Sequence, residues 1–158
     1  MKVLSIIPPL VQINTPYPST TFITGFLRSR GINAIQTDIG LSLVLKLFSI
    51  EGLQQIRAKL QSVKSPTAQF FLEAYPDYEK TIEPVIHFLQ GKDQSLAHRI
   101  AARTLLPEGP RFQTLAQEDL QWAFGQMGVQ DQAKHLASLY IDDLADLIAS
   151  EIDPDFSP

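Results

Sequence analysis

The stretch from Lys2 to Asp38 constrains the fold more than any other part of the chain. It opens with the apolar run VLSII, which Pro8 and Pro9 follow, and it closes with the shorter run INAI, which leads to Asp38. A nearly continuous apolar run is typical of a strand that is covered on both faces, and proline ends such a strand because it has no N–H to donate. The stretch therefore predicts two parallel strands joined by a crossover.

The crossover has the pattern of a helix. Hydroxyl side chains that can cap a helix come first, an apolar stripe at helical spacing follows, and a glycine stands where a left-handed C-terminal residue is favoured. We therefore predict a strand–helix–strand unit over residues 1–40, in which the apolar residues of the helix share one face. The candidate caps are Ser19, Thr20 and Thr21, the stripe is Phe22, Ile23, Phe26 and Leu27, and the glycine is Gly31.

The pattern from residue 41 to residue 158 is helical throughout, and about six helices fit it. The chain is thus predicted to be α/β and helix-dominated, a single region with a small Rossmann-like parallel sheet and a helical segment. Two strands leave two open edges, so either further strands carry too weak a pattern, or residues beyond Pro158 or another chain complete the sheet. The predicted helix starts include Ser49, Ser65 with Pro66, Asp77, Thr114 and Asp131.

Composition excludes several classes of function. The 158 residues are 44% hydrophobic and 19% charged, and the apolar runs fall short of the ~20 residues of a membrane span, so we expect a soluble, cytoplasmic protein without membrane contact. The net charge of −4, with no basic tract, argues against nucleic acid as a partner. Because there is no cysteine, these residues can hold neither a disulfide nor an iron–sulfur cluster.

Several positions of the opening segment together resemble a known pattern. A strand ends in Pro8-Pro9, a loop carries Pro16 and Pro18, the helix contains Phe26-Leu27-Arg28 followed by Gly31, and the second strand finishes at Asp38. This arrangement resembles the N-terminal cobalamin-binding-like region of radical SAM proteins. The tail LYIDDLADLIASEIDPDF is similar to the segment that precedes the catalytic barrel in those proteins.

The resemblance implies an accessory region without catalysis of its own, the N-terminal part of a longer iron–sulfur enzyme. The 4Fe-4S cluster and SAM would belong to the downstream barrel, which would be the partner of this region. Cobalamin, if bound, would lack a histidine ligand, because none of His87, His98 and His135 stands in an Asp-x-His-x-x-Gly motif. The alternative is a degenerate Rossmann-like module for interaction or homodimerisation without a ligand, and the least favoured is a stand-alone small-molecule enzyme.

The best candidate binding site is the loop between the first strand and the helix. Ligands of open parallel sheets gather outside the carboxyl ends of the strands, next to a helix N-terminus. The glycine-rich fingerprint of dinucleotide binders is absent, which argues against NAD. The predicted cofactor-binding residues are Pro9, Gln12, Asn14, Thr15, Tyr17, Thr20 and Asp38, with no catalytic and no metal-binding residue.

Two further groups have ordinary structural interpretations. The acidic residues near the C-terminus, which include Asp142, Asp143 and Asp146, lack calcium-loop spacing and predict a solvated helix face. The aromatic residues from Phe70 to Tyr78 could cover a partner domain, but burial in the core is the default expectation.

Overall fold

The computed structural model describes residues 1–8, 18–60, 63, 65–114 and 128–156. These residues form a two-stranded sheet, seven α-helices and one 3₁₀ turn, which confirms a helix-dominated α/β fold with a small Rossmann-like sheet. The strands are β1 (Lys2–Ile7) and β2 (Asn33–Asp38), and the helices are α1 (Pro18–Ser29), α2 (Ile39–Leu47), α3 (Ile50–Lys59), α4 (Pro66–Glu73), α5 (Tyr75–Leu89), α6 (Ala97–Ala101) and α7 (Val129–Glu151), with the 3₁₀ turn at Pro110–Thr114.

The chain divides into two compact units, an N-terminal unit of Met1–Leu47 and a helical unit of Phe48–Ser157. The sequence pattern placed the end of the strand–helix–strand unit at residue 40. In the structure α2 also groups with the N-terminal unit, because it follows β2 directly and contacts β1.

The two strands of the N-terminal unit are parallel and in register. Lys2 pairs with Asn33 at one end, and Ile7 pairs with Asp38 at the other. The crossover helix α1 ends in a Schellman motif, in which the Gly31 N–H donates to the Arg28 carbonyl and the Ile32 N–H to the Leu27 carbonyl, each at 3.0 Å. Gly31 has a φ of 73°, so the predicted left-handed glycine is confirmed.

The apolar stripe of α1 is largely exposed, although a stripe of this kind is typical of a helix face that packs against a core. Phe22, Ile23 and Phe26 are 75%, 53% and 59% exposed, and the fully buried side chain of the helix is Thr24. A helix surface is wide relative to a sheet of two strands, so only the narrow face around Thr24 and Leu27 is covered. The other residues of the stripe are more than half exposed.

The residues that the structure describes also leave one face of the sheet open. Side chains alternate between the faces of a strand, and on β1 every second residue is exposed. Leu4, Ile6 and Ile35 lie on this open face and are 45–54% exposed. On the opposite face, Ala34 is buried against α1.

Of the predicted helix starts of the helical unit that the structure describes, Ser49 and Ser65 are confirmed, whereas α7 begins at Val129 and not at the predicted Asp131. The Ser49 hydroxyl accepts a hydrogen bond from the Gly52 N–H at 3.1 Å, and the Ser65 hydroxyl accepts one from the Ala68 N–H at 3.2 Å, which confirms both caps. Asp77 was predicted to start α5, but the helix begins at Tyr75. The predicted helix that starts at Thr114 lies mostly outside the described residues.

The core of the helical unit is built around α5 and α7. Tyr78 and Tyr140 are stacked with their ring centroids 5.1 Å apart, and the Tyr140 and Thr81 hydroxyls are 3.1 Å apart. The predicted stripe of the last helix is buried except for a half-buried Leu139. Phe71, Tyr75 and Tyr78 are at most 5% exposed, so the core interpretation of the aromatic group is confirmed for these three.

Candidate functional site

A crevice of about 560 Å³ opens at the carboxyl ends of β1 and β2, next to the first turn of α1. This is the place where a parallel sheet with a crossover helix offers a ligand site, because the strands end there and the helix begins there. Its volume falls within the range of small-molecule pockets. The lining residues are Ile7, Pro18, Thr20, Thr21, Phe22, Gln36, Thr37 and Asp38.

Asp38 both caps a helix and lines the crevice. Its Oδ1 accepts a hydrogen bond from the Leu41 N–H at 2.8 Å, and its carbonyl accepts one from the Ser42 hydroxyl at 2.6 Å. Asp38 therefore caps α2, which begins at the next residue. The cap uses Oδ1 and leaves Oδ2 outside that hydrogen bond, so the same carboxylate can accept a bond from a ligand.

Two of the predicted binding residues, Thr20 and Asp38, line this crevice together. The other five fall between residues 9 and 17 and lie outside the described residues. They are Pro9, Gln12, Asn14, Thr15 and Tyr17.

The sequence prediction missed Gln36 and Thr37, which line the crevice from the last residues of β2. Their position in the sequence could have identified them, because they directly precede Asp38, the last residue of the strand. The prediction also missed Phe22, which it named only as part of the apolar stripe of the helix. In the structure Phe22 forms an exposed apolar wall of the crevice.

The acidic C-terminal helix holds no metal centre within the described residues, because no group of three potential ligands converges there or elsewhere in them. Asp146 instead pairs with the Arg111 guanidinium, whose Nε and Nη2 donate to its two carboxylate oxygens at 2.7 and 2.9 Å. Asp143, predicted to be solvated, is 1% exposed. The solvated-face interpretation is therefore wrong for Asp143.

The buried Asp143 fastens the 3₁₀ turn, and Gly109 directly before it, to α7. Its Oδ1 accepts a hydrogen bond from the Arg111 backbone N–H at 3.0 Å, while Oδ2 lies against Gly109 without a hydrogen-bond partner of ordinary geometry. Burial raises the pKa of Asp143 to about 6, although the backbone N–H of Arg111 opposes that rise. This is a structural contact in the helical unit, separate from the crevice residues.

Among the helices that the structure describes, none alone is long and apolar enough to cross a membrane. Only α2 and α3 taken together, as an interrupted pair, reach the required length and composition.

Comparisons with protein-family models, with curated proteins and with solved structures find no match to this chain.

Proposed function

We propose that this chain is a cobalamin-binding-like accessory region of a radical SAM iron–sulfur enzyme of the cytoplasm. The observation that supports the proposal is the crevice at the carboxyl ends of the parallel strands, with Thr20 and Asp38 in its lining. In this role the region binds an edge of a corrinoid, or shapes the approach of substrate, while the chemistry takes place in a downstream barrel.

The residues fit a corrinoid bound without a protein ligand to cobalt. The crevice lining contains no histidine, and the sequence contains no cysteine. A corrin ring with its side chains is larger than a crevice of about 560 Å³, so the crevice takes one edge of the macrocycle. Phe22 and Ile7 supply apolar contact, and the polar lining residues supply hydrogen bonds to the side chains of the ring.

Titration of the chain with hydroxocobalamin, followed by visible absorption, tests the proposal. We expect a saturable change in the corrin spectrum, and we expect Thr20→Val to weaken binding about tenfold, because one hydrogen bond to the ligand is lost. Thr67→Val is the matched control, since Thr67 lies in the helical unit. No spectral change with the unaltered chain would exclude the corrinoid role.

A second candidate is a degenerate Rossmann-like module for interaction or dimerisation without a ligand. The observation that favours it is the open sheet face, where Leu4, Ile6 and Ile35 are about half exposed in a sheet that has only two strands within the described residues. If this function holds, light scattering detects a dimer that Ile6→Glu dissociates and Leu89→Glu leaves intact. Leu89 is an exposed apolar residue of the helical unit and serves as the control.

A further inference from the structure

The polar groups of the crevice include both donors and acceptors. The hydroxyls of Thr20 and Thr21 lie at the first turn of α1, where a helix presents backbone N–H groups and the positive end of its dipole. Across the strand ends, Asp38 and Gln36 supply carboxylate and amide oxygens. A ligand group that carries a carbonyl and an N–H₂ side by side matches this arrangement.

The charges of the N-terminal unit are distributed unevenly. Asp38 is the one charged side chain among the described lining residues, and it is acidic. The sequence from residue 9 to residue 17, which enters α1, contains no charged residue. Among the described lining residues, no cation would offset the repulsion between Asp38 and a phosphate or carboxylate bound at this site.

The basic residues of this unit lie away from the crevice. Lys2 begins β1, whereas the crevice is at the strand's other end, and Arg28 and Arg30 lie at the C-terminal end of α1. Lys46 is near the C-terminal end of α2, and eight residues of helix place it about 12 Å along the axis from Asp38. The Arg28 guanidinium also donates to the Ala34 carbonyl at 2.7 Å, which holds it at the start of β2.

We propose that the crevice is specific for uncharged carboxamide groups and discriminates against phosphates and carboxylates. The carboxamide carbonyl accepts hydrogen bonds at the first turn of α1, and its N–H₂ donates to Asp38 Oδ2 and to Gln36. Phe22, which is 75% exposed, supplies the apolar surface for the body of the ligand. This inference rests on the proposed corrinoid role, because it assigns the crevice to the amide-bearing edge of the macrocycle.

A pair of corrinoids with the same ring tests the proposal. Dicyanocobinamide carries amide side chains, and dicyanocobyrinic acid carries carboxylates in their place. We expect the chain to bind the amide at least about tenfold more tightly in about 0.15 M salt, where long-range repulsion is screened. Millimolar inorganic phosphate is not expected to compete with dicyanocobinamide.

Two variants test whether Asp38 causes the preference for the amide over the carboxylate. Asp38→Asn keeps an oxygen that caps α2 but removes the charge, so the preference for the amide is expected to fall by about fivefold or more. Asp131→Asn changes the net charge equally at an exposed position of α7 and is expected to leave the preference unchanged. For each variant, the affinities for the two corrinoids are measured by the same absorption titration.

The outcomes separate this inference from the proposed function. Equal binding of the two corrinoids, tighter binding of the acid, or competition by phosphate would overturn the carboxamide specificity while leaving the corrinoid role in place. An equal effect of Asp38→Asn and Asp131→Asn would also overturn the specificity. If neither corrinoid binds, the corrinoid role fails, and the inference fails with it.

Discussion

Asp143 is the one acidic side chain that the described residues bury almost completely. It lies on α7 among charged groups that face it from two elements: Asp142 and Asp146 on its own helix, and Arg111 on the 3₁₀ turn, with the Tyr78 hydroxyl on α5 nearby. Burial removes water from the carboxyl group, and the single hydrogen bond from the Arg111 N–H does not replace it. The loss of water therefore raises the pKa of the Asp143 carboxyl in the native state.

The shift makes stability depend on pH. The pKa of Asp143 is raised from 3.8 to about 6 in the folded chain, so between these values the native state holds a proton that the unfolded chain releases. The free energy of unfolding therefore falls as pH rises from about 4 to about 6, by at most about 3 kcal/mol from this group, and levels off above that window. Urea unfolding followed by circular dichroism across this pH range measures the effect.

Asp143→Asn provides the test of that assignment. The asparagine keeps an oxygen for the Arg111 N–H and has no ionisable group, so the decrease between pH 4 and pH 6 is expected to shrink. Asp155→Asn, at an exposed position near the C-terminus, is the control and should keep the full decrease. An Asp143→Asn chain with an unchanged pH profile would contradict the assignment.

Gly109 has a specific steric reason to be glycine. A methyl group on its Cα would lie 2.5 Å from Asp143 Oδ2 and 2.8 Å from its Cγ, which is closer than real contacts allow. Gly109→Ala is therefore expected to displace the buried carboxyl and lower the free energy of unfolding by about 2–3 kcal/mol.

The matched control for Gly109→Ala is Gly25→Ala, at a position in α1 with open space around the added methyl. In a helix this change is expected to stabilise by about 0.5–1 kcal/mol, because alanine is the better helix former. Urea unfolding compares the two variants. A similar small effect of both would contradict the proposed close packing at Gly109.

Individual residues show where prediction from sequence stops. The acidic residues of α7 look alike in the sequence, and all were assigned to a solvated face. Asp143 differs from its neighbours only because Gly109 and Arg111, more than 30 residues earlier, pack against it. No local pattern contains that contact.

Among the elements, α1 departs most from expectation. A strong periodic stripe is typical of a buried face, yet Phe26 is 59% exposed. The Arg30 guanidinium lies over its ring, 5.2 Å from the ring centroid. A cation over an exposed ring contributes about 0.5–1 kcal/mol. The stripe thus stabilises the isolated chain very little.

Phe26→Ala is accordingly expected to cost at most about 1 kcal/mol, whereas Phe88→Ala, at a fully buried position of α5, should cost about 3–5 kcal/mol. Urea unfolding at low protein concentration measures both. A cost for Phe26→Ala close to that of Phe88→Ala would show that the ring is covered in solution, and would contradict the exposed position described above.

The features that the sequence predicted correctly were predictable for the same reason. Both strands, the left-handed Gly31 and the caps at Ser49 and Ser65 depend on backbone chemistry within a few residues, which a local pattern records. The start of α5 was predicted wrongly because Asp77 is a strong capping residue, but the helix instead begins two residues earlier, next to Pro76. Burial of a helix face depends on what lies opposite, and the local pattern does not contain that information.

At the scale of the whole molecule, the two units differ in how well they are packed. The helical unit has a large core, whereas the fully buried residues of the N-terminal unit, within its described part, are Thr24, Ala34 and Gly40. A sheet of two strands with one open face is of marginal stability in water. The N-terminal unit therefore has, within its described part, both a crevice at the strand ends and a two-stranded sheet with one open face, and its proposed functions follow from these two features.

The position of the crevice was predictable, because the parallel pair and its crossover helix fix where the strand ends meet. Its composition was only partly predictable: Thr20 and Asp38 were identified, and Gln36, Thr37 and Phe22 were not. The pattern marked Thr20 as a candidate helix cap and Asp38 as the residue that ends the second strand, which are the positions where a ligand site is expected. The pattern gave Gln36, Thr37 and Phe22 no such position.

Amide chemical shifts during a titration with hydroxocobalamin test the central proposal most directly. A ligand in the crevice is expected to shift the resonances of Thr20, Thr21 and Gln36 to Asp38 in a saturable way, and to leave those of α4 and α7 unchanged. Shifts confined to the helical unit, or no shift at a large excess of hydroxocobalamin, would contradict the assignment of this crevice as a corrinoid site.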